Sequence, residues 1–119
     1  MTDPHVLIVD DSADQRLLLR KYFERAGCTV ESADSGESAL ELDITVAPVM
    51  AVIDLVLPGM TGAQVADAIR ERFPACAIVI TSVLDPEDYP LADAVLPKPV
   101  TGDDVRRVVA AHAGGRTSR

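Results

Sequence analysis

Short apolar runs alternate with segments of helical spacing along the chain, and this alternation limits the folds that it can adopt. Residues 5–9, 49–55 and 76–80 (HVLIV, VMAVIDL and CAIVI) are dominated by apolar side chains, as strands buried on both faces are. Two weaker runs, 29–32 and 94–96, bring the predicted strands to five. Five such strands separated by helices predict a doubly wound parallel α/β sheet that is covered on both faces.

Capping residues mark where the helices begin and end. Ser12, with Gln15 three residues on, has the spacing of a capping box, and Gly27 suits the position after a last helical turn. Further helices are predicted from Ser35–Gly36, over residues 64–73, and from the capping residue Thr101 to about His112. The connection between the fourth and fifth strands is the one without a clear helical segment.

A net charge of −8 argues against functions that require a basic surface. Binding to nucleic acid or to anionic lipid needs clustered Lys and Arg, and the sequence has no such cluster. We therefore expect this domain to contact neither nucleic acid nor membrane. With no Trp, two Tyr and two Phe, the core must be built from aliphatic side chains.

The cysteines and the N-terminal residues indicate a cytoplasmic protein. Cys28 and Cys76 lie in apolar runs and lack the spacing of metal ligands or of a secreted disulfide framework, so two buried reduced thiols are expected. The first residues, MTDPHVLIVDD, lack the basic and apolar regions of a signal peptide, and no apolar run is long enough to span a membrane.

Acidic residues follow two of the strongest predicted strands. Asp10 and Asp11 follow the first strand and Asp54 lies at the end of the third. The fold brings these carboxylates to the carboxyl edge of the sheet, where doubly wound folds form their sites. Three like charges at close range are tolerable when a divalent cation lies among them, and oxygen ligands alone favour Mg²⁺.

Two further residues at the same edge suit a phosphoryl group. Thr81 ends the fourth strand and Lys98 follows the fifth. A Thr hydroxyl and a Lys ammonium can both donate to phosphoryl oxygens, and a carboxylate beside them can act as a nucleophile that forms an acyl phosphate. Each residue alone is better explained as a cap, a strand end or a solvated charge. Their conjunction at successive strand ends favours the functional interpretation.

Four motifs carry a specific resemblance. The chain is similar, from about His5 to His112, to the response-regulator receiver domains of two-component signalling. The matching segments are Val9-Asp10-Asp11, Asp54-Leu55-Val56-Leu57-Pro58 with Gly62, Thr81-Ser82 and Lys98-Pro99. The resemblance implies a flavodoxin-like strand order, 2-1-3-4-5.

The resemblance also assigns roles at the carboxyl edge. It implies that Asp54 is the phosphoacceptor, that Thr81 and Lys98 bind phosphoryl oxygens, and that the Lys98–Pro99 bond is cis. The implied ligands of Mg²⁺ are Asp10, Asp11, Asp54 and the backbone carbonyl of Val56.

The same resemblance describes the domain and its partners. One receiver domain is expected over residues 1–119, with a core of about 5–112 and a polar tail, 113–119. The donor would be a sensor histidine kinase or a phosphotransfer protein, and catalysis would be confined to the domain's own phosphorylation and dephosphorylation. The output protein, dimerisation, and the choice between a complete single-domain regulator and a receiver from a longer chain stay open.

Two departures from the family pattern concern the output half of the switch. Val95 occupies the position of the usual Tyr or Phe three residues before the lysine, so an aromatic lever is missing. Tyr89 lies nearby in the sequence but is better explained as an ordinary loop aromatic than as a substitute. Residues 83–92 are too few and too proline-rich for a full helix, so the fourth helix is predicted to be short or missing and the output surface non-standard.

A separate prediction concerns the lifetime of the phosphoryl group. In the family, the side chains two residues after the phosphoacceptor and two after the threonine influence access of the hydrolytic water. Val56 and Val83 stand at these positions and offer that water no hydrogen bond, so a long-lived phosphoryl state is expected.

Two other classes of function fit the sequence less well. A phosphorylation-independent interaction module with the receiver fold is compatible with Val95 and the short crossover, although the intact acidic cluster argues against it. A stand-alone phosphohydrolase of the haloacid-dehalogenase type requires an Asp-x-Asp pattern, and Asp54 is followed by Leu55 and Val56.

Overall fold

The computed structural model describes residues 3–83 and 92–114, and five strands and four helices lie within these ranges. The strands are β1 (His5–Val9), β2 (Thr29–Ala33), β3 (Met50–Asp54), β4 (Ala77–Ser82) and β5 (Ala94–Pro97). The helices are α1 (Ala13–Arg25), α2 (Gly36–Glu41), α3 (Gly62–Arg72) and α4 (Gly102–His112). All strand pairs are parallel and their order is β2-β1-β3-β4-β5, which confirms the predicted sheet.

The side chains of alternate strand residues pack into two aliphatic cores, one on each face of the sheet. Val6 and Ile8 of β1 pack with α1 and α4, whereas Leu7 and Val9 pack with α2 and α3. This period of two is what a strand buried on both faces requires. Phe23 is the one aromatic side chain in the two buried clusters of the described residues, so the expected aliphatic core is confirmed.

The helix ends explain one shifted boundary. Helix α3 begins at Gly62, two residues before the predicted start at residue 64. Thr61 is its N-cap, and Thr61 and Gln64 form a complete capping box that the sequence interpretation overlooked. The predicted cap of the last helix, Thr101, is confirmed and forms a second box with Asp104.

Ser12 caps α1 in a different way. Its hydroxyl accepts a hydrogen bond from the backbone N–H of Gln15 at 3.2 Å, as predicted. Its own N–H, however, donates to Asp10 Oδ1 at 2.9 Å and not to Gln15, so the reciprocal half of the box is replaced by a bond to the acidic pair. The cap therefore links the start of α1 to the candidate site.

Both cysteines are free and buried, as expected. Burial, with a smaller effect of Asp93, raises the pKa of the Cys76 thiol to about 12. Burial, followed by the charge of Asp3, also raises the pKa of Cys28. Within residues 3–83 and 92–114, no helix has the length and apolar character needed to cross a membrane.

The predicted shortening of the fourth helix and the role considered for Tyr89 fall mainly on residues 84–91, which lie outside the described residues. Either side of that segment, the sheet is described up to Ser82 and again from Ala94, and the two strands pair in parallel from Val79 to Ser82.

Gly62 lies against the backbone at the end of β3, and we expect Gly62→Ala to destabilise the protein. A Cβ there would approach the Asp54 carbonyl oxygen to 2.5 Å and Leu55 Cα to 2.7 Å, so backbone would have to move. Overpacking of this kind costs about 1–3 kcal/mol. Urea unfolding measures the change. Gly114→Ala is the control because nothing lies within 4 Å of its Cβ position, and equal effects of both substitutions would contradict the expectation.

Candidate functional site

Three carboxylates meet at the carboxyl edge of the sheet. Strands β1 and β3 are neighbours with Val9 opposite Ile53, so the residues that follow, Asp10 and Asp54, come side by side. One oxygen from each of Asp10, Asp11 and Asp54 lies within 4.8 Å of the other two. Asp10 is 1% exposed and Asp54 6%, whereas Asp11 faces solvent. The cluster predicted from the sequence is therefore formed.

Lys98 joins two of these carboxylates. Its Nζ donates a hydrogen bond to Asp54 Oδ2 at 2.9 Å and lies 3.5 Å from Asp10 Oδ2. The backbone N–H of Lys98 donates to the Ser82 carbonyl at 2.9 Å, which fixes where the chain leaves β5. The Lys98–Pro99 peptide bond is cis, as the family resemblance implied.

Thr81 completes the edge from β4. It pairs with Asp54 across β3 and β4, and its carbonyl accepts from the Leu55 N–H at 2.9 Å. The residue is 1% exposed, yet its hydroxyl oxygen Oγ1 has no hydrogen-bond partner in the described part of the chain. A buried hydroxyl without a partner is uncommon, since burying a polar group without a hydrogen bond costs free energy. It is suited to donate to a group bound beside Asp54.

Burial dominates the shift in the pKa of Asp10, whereas the neighbouring carboxylates decide the shift in the pKa of Lys98. Burial raises the pKa of the Asp10 carboxyl, and Asp54 adds to this, although the Ser12 N–H and the Lys98 ammonium partly oppose it. Burial alone would lower the pKa of Lys98, but the hydrogen bond to Asp54 and the charges of Asp10 and Asp54 raise it above its ordinary value. Lys98 is therefore a fixed cation at neutral pH.

The oxygen atoms of the cluster fit a hard divalent cation. Asp10 Oδ1 is held by the Ser12 N–H, whereas the buried Asp10 Oδ2 accepts no hydrogen bond from any described residue. Asp54 Oδ1 accepts from the Val56 N–H at 3.0 Å. Carboxylates without Cys or His suit Mg²⁺, which retains waters and takes few protein ligands. The backbone carbonyl of Val56 stays a predicted ligand.

One contact at the site was missed in the sequence. Arg16, on the first turns of α1, donates from Nη1 to the backbone carbonyl of Asp10 at 2.7 Å. Its position four residues after the cap Ser12 places it on the first turns of the helix that follows the acidic pair. That placement was the available signal.

A family model of the response regulator receiver domain matches residues 6–110. This chain belongs to the response-regulator receiver family. Receiver domains are signalling domains of two-component systems, and the predicted strand order is the one that this family adopts.

Solved receivers share the fold of this one. Chemotaxis protein CheY4 of Vibrio cholerae is 24% identical, with a TM-score of 0.85 over 93% of this chain and 99% of that one. Response regulator TrrA of Thermotoga maritima, solved in complex with Mg(2+)-BeF, is 25% identical, with a TM-score of 0.79 over 91% and 97% of the two chains.

Curated relatives are longer proteins. A cyclic di-GMP phosphodiesterase of Thermotoga maritima is 35% identical over 80 residues, which cover 67% of this receiver and 21% of the relative. This receiver spans between 18% and 32% of the length of the first curated relatives that it matches.

The receiver departs from its family at Val95. This residue lies on β5 opposite Ile80 and is 40% exposed. A β-branched aliphatic side chain has no ring to rotate and is restricted about its first torsion angle. The rotating aromatic ring that the family resemblance implies is therefore absent at this position.

Proposed function

We propose that this receiver is a phosphorylation-dependent switch whose phosphoacceptor is Asp54. The observation that carries the proposal is the arrangement around that carboxylate. Lys98 Nζ bonds to it at 2.9 Å, and the partnerless hydroxyl of Thr81 lies on the neighbouring strand. A carboxylate nucleophile, a fixed cation and a hydroxyl hydrogen-bond donor are thus grouped at the carboxyl edge of the sheet.

The proposed reaction transfers a phosphoryl group from a phosphohistidine of a sensor kinase or phosphotransfer protein. One carboxylate oxygen of Asp54 forms a bond to phosphorus as the phosphorus–nitrogen bond of the donor breaks, and the electron pair returns to the imidazole nitrogen. Lys98 and Thr81 would bind the oxygens of the transferred group. Such transfer depends mainly on positioning and charge neutralisation.

Asp10, Asp11, Asp54 and the carbonyl of Val56 would hold Mg²⁺. When bound, the ion would supply positive charge that offsets the repulsion between the carboxylates and the incoming phosphoryl group. The Mg(2+)-BeF complex of the TrrA receiver supports this part of the proposal by analogy. The oxygen-only donor set supports it from this chain, as does Asp10 Oδ2, which forms an ion pair with Lys98 but accepts no hydrogen bond from the described residues.

Output would pass through contacts with another protein. The net charge of −8 disfavours direct contact with nucleic acid, and Val95 disfavours the usual aromatic switch. We therefore propose a non-standard output surface.

The test is Mg²⁺-dependent labelling by a small phosphodonor. Wild-type protein incubated with acetyl phosphate and Mg²⁺ should gain the mass of one phosphoryl group, and the same mixture with EDTA should not. Intact mass spectrometry reads both. A phosphoryl adduct that forms from acetyl phosphate equally well in EDTA would contradict the proposed metal dependence. Absence of any adduct, with either acetyl phosphate or a histidine kinase as donor, would favour a phosphorylation-independent module.

The phosphoryl state should last for minutes or longer. Val56 and Val83 are 60% and 78% exposed beside the site, and neither side chain can orient a hydrolytic water by hydrogen bonding. Loss of the labelled mass after removal of donor measures the lifetime. Val83→Gln, which adds an amide, should shorten it severalfold. A wild-type half-life of seconds would contradict the prediction.

A further inference from the structure

We infer that Arg16 is a positioning residue for the acidic cluster. By bonding to the backbone of Asp10, it holds the turn that aims Asp10 and Asp11 at a bound cation. The inference rests on the proposed function, since it concerns the same site. It adds a residue that the motifs of the sequence did not assign.

The contact joins helix α1 to the end of β1. Arg16 Nη1 lies 2.7 Å from the Asp10 carbonyl oxygen, and Arg16 is half-buried. The backbone N–H of Arg16 donates to the Ser12 carbonyl at 2.9 Å, so the first helical turn holds the Arg16 backbone in place. Hydrogen bonds from a guanidinium are stronger than those between neutral groups, and the short distance agrees with this.

With this bond, Asp10 is fixed on three sides. Its N–H donates to the Ala33 carbonyl at 3.1 Å, its carbonyl accepts from Arg16, and its Oδ1 accepts from the Ser12 N–H. Asp10 Oδ2 accepts no hydrogen bond from the described residues and lies 3.5 Å from Lys98 Nζ, so it is the oxygen that remains available to a bound cation. The peptide unit whose carbonyl Arg16 holds is also the one that carries Asp11 N, so the same bond constrains both carboxylates. Residues that orient metal ligands commonly change metal affinity when they are replaced.

The positive charge of Arg16 should weaken Mg²⁺ binding, whereas its positioning of Asp10 should strengthen it. The direction in which Mg²⁺ affinity changes on substitution therefore tests the inference. A guanidinium near the cluster repels a divalent cation, so removing the charge alone should tighten Mg²⁺ binding. Removing the positional restraint should weaken it, by about tenfold if the effect is like that of other ligand-orienting residues. The inference requires the second effect to dominate.

Arg20 provides a matched control on the same helix. One turn after Arg16, its Nη1 donates to the Val30 carbonyl at 3.1 Å and its Nη2 to Ser32 Oγ at 3.3 Å. Arg20→Met thus removes one charge and one guanidinium–carbonyl bond from α1, as Arg16→Met does, without touching Asp10. It also removes the bond to Ser32 and an ion pair with Glu24 at 3.6 Å, so it should lower the unfolding temperature at least as much as Arg16→Met.

The measurement is Mg²⁺ titration calorimetry on the folded variants, each checked by circular dichroism. Arg16→Met should weaken Mg²⁺ binding about tenfold, Arg20→Met should leave it unchanged or slightly tighter, and Arg16→Lys should recover part of the affinity by donating to the same carbonyl. If Arg16→Met does not fold, Arg16→Lys against Arg20→Lys gives the same comparison. Unchanged or tighter binding in both Arg16 variants would overturn the inference while leaving the proposed function intact. Wild-type protein that binds no Mg²⁺ would overturn both.

Discussion

Replacing Lys98 with methionine is expected to slow phosphoryl uptake by roughly 10²–10³-fold while tightening Mg²⁺ binding. Methionine keeps the apolar stem of the side chain but removes the ammonium that lies 2.9 Å from Asp54 Oδ2 and 3.5 Å from Asp10 Oδ2. Transfer loses the cation that would hold a phosphoryl oxygen. A metal ion, by contrast, loses a competing positive charge at the same carboxylates.

Slower labelling together with tighter Mg²⁺ binding distinguishes a role of Lys98 in phosphoryl binding from a purely structural role. Rates of labelling by acetyl phosphate at saturating Mg²⁺ and calorimetric Mg²⁺ affinities should be measured on the same preparation. Lys21→Met, at an exposed position of α1, removes the same charge away from the site. If Lys98→Met weakens Mg²⁺ binding and leaves the labelling rate unchanged, Lys98 stabilises the fold and does not bind the phosphoryl group.

Replacing Asp10 with asparagine is expected to stabilise the metal-free protein and to abolish its response to Mg²⁺. Burial and the nearby Asp54 raise the pKa of Asp10, so the folded state disfavours its charged form. Such a group favours folding most below its unfolded-state pKa, and that contribution is lost as pH rises through the folded-state pKa. At neutral pH the Asp10 charge therefore costs stability, and a neutral amide of the same shape removes this cost.

Thermal unfolding at neutral pH, with EDTA or Mg²⁺, measures both effects. In EDTA, Asp10→Asn should melt a few degrees above wild type. Mg²⁺ at about ten times its dissociation constant should stabilise wild type by about 1.4 kcal/mol and the variant by almost nothing. Asp43→Asn, at an exposed position between α2 and β3, controls for net charge. A variant that is less stable in EDTA and equally stabilised by Mg²⁺ would show that Asp10 is not a ligand.

Strand-level features were predictable because they depend on local pattern. Buried parallel strands appear in the sequence as apolar runs. Because such strands run in the same direction and are joined by right-handed crossovers, the polar residues that follow them meet at the carboxyl edge of the sheet. Asp10, Asp54 and Thr81 each come within one residue of a strand end, and β-sheet register places Asp54 directly opposite Thr81. Lys98 lies at the same edge because it directly follows β5.

The rest depends on contacts whose partners the local sequence does not specify. Arg16 bonds to a backbone carbonyl, and every residue has one, so the sequence does not reveal which carbonyl it selects. The Ser12 N–H could serve Gln15 or Asp10, and only the path of the turn decides between them. Gly62 is favoured because the Asp54 carbonyl oxygen at the end of β3 lies only 2.5 Å from where its Cβ would be. These are properties of the assembled site.

The central claim, that Asp54 carries the phosphoryl group, is tested most directly by locating the modification. Protein labelled with acetyl phosphate and Mg²⁺ is reduced with borohydride, which converts an aspartyl phosphate to homoserine, and is then cut with trypsin. Asp10 and Asp11 fall in the peptide 1–16 and Asp54 in 26–70, so the carboxylates are separated before fragmentation. The account predicts homoserine at position 54 and no modification in Asp54→Asn. Homoserine in the peptide 1–16, or equal labelling of Asp54→Asn, would contradict it.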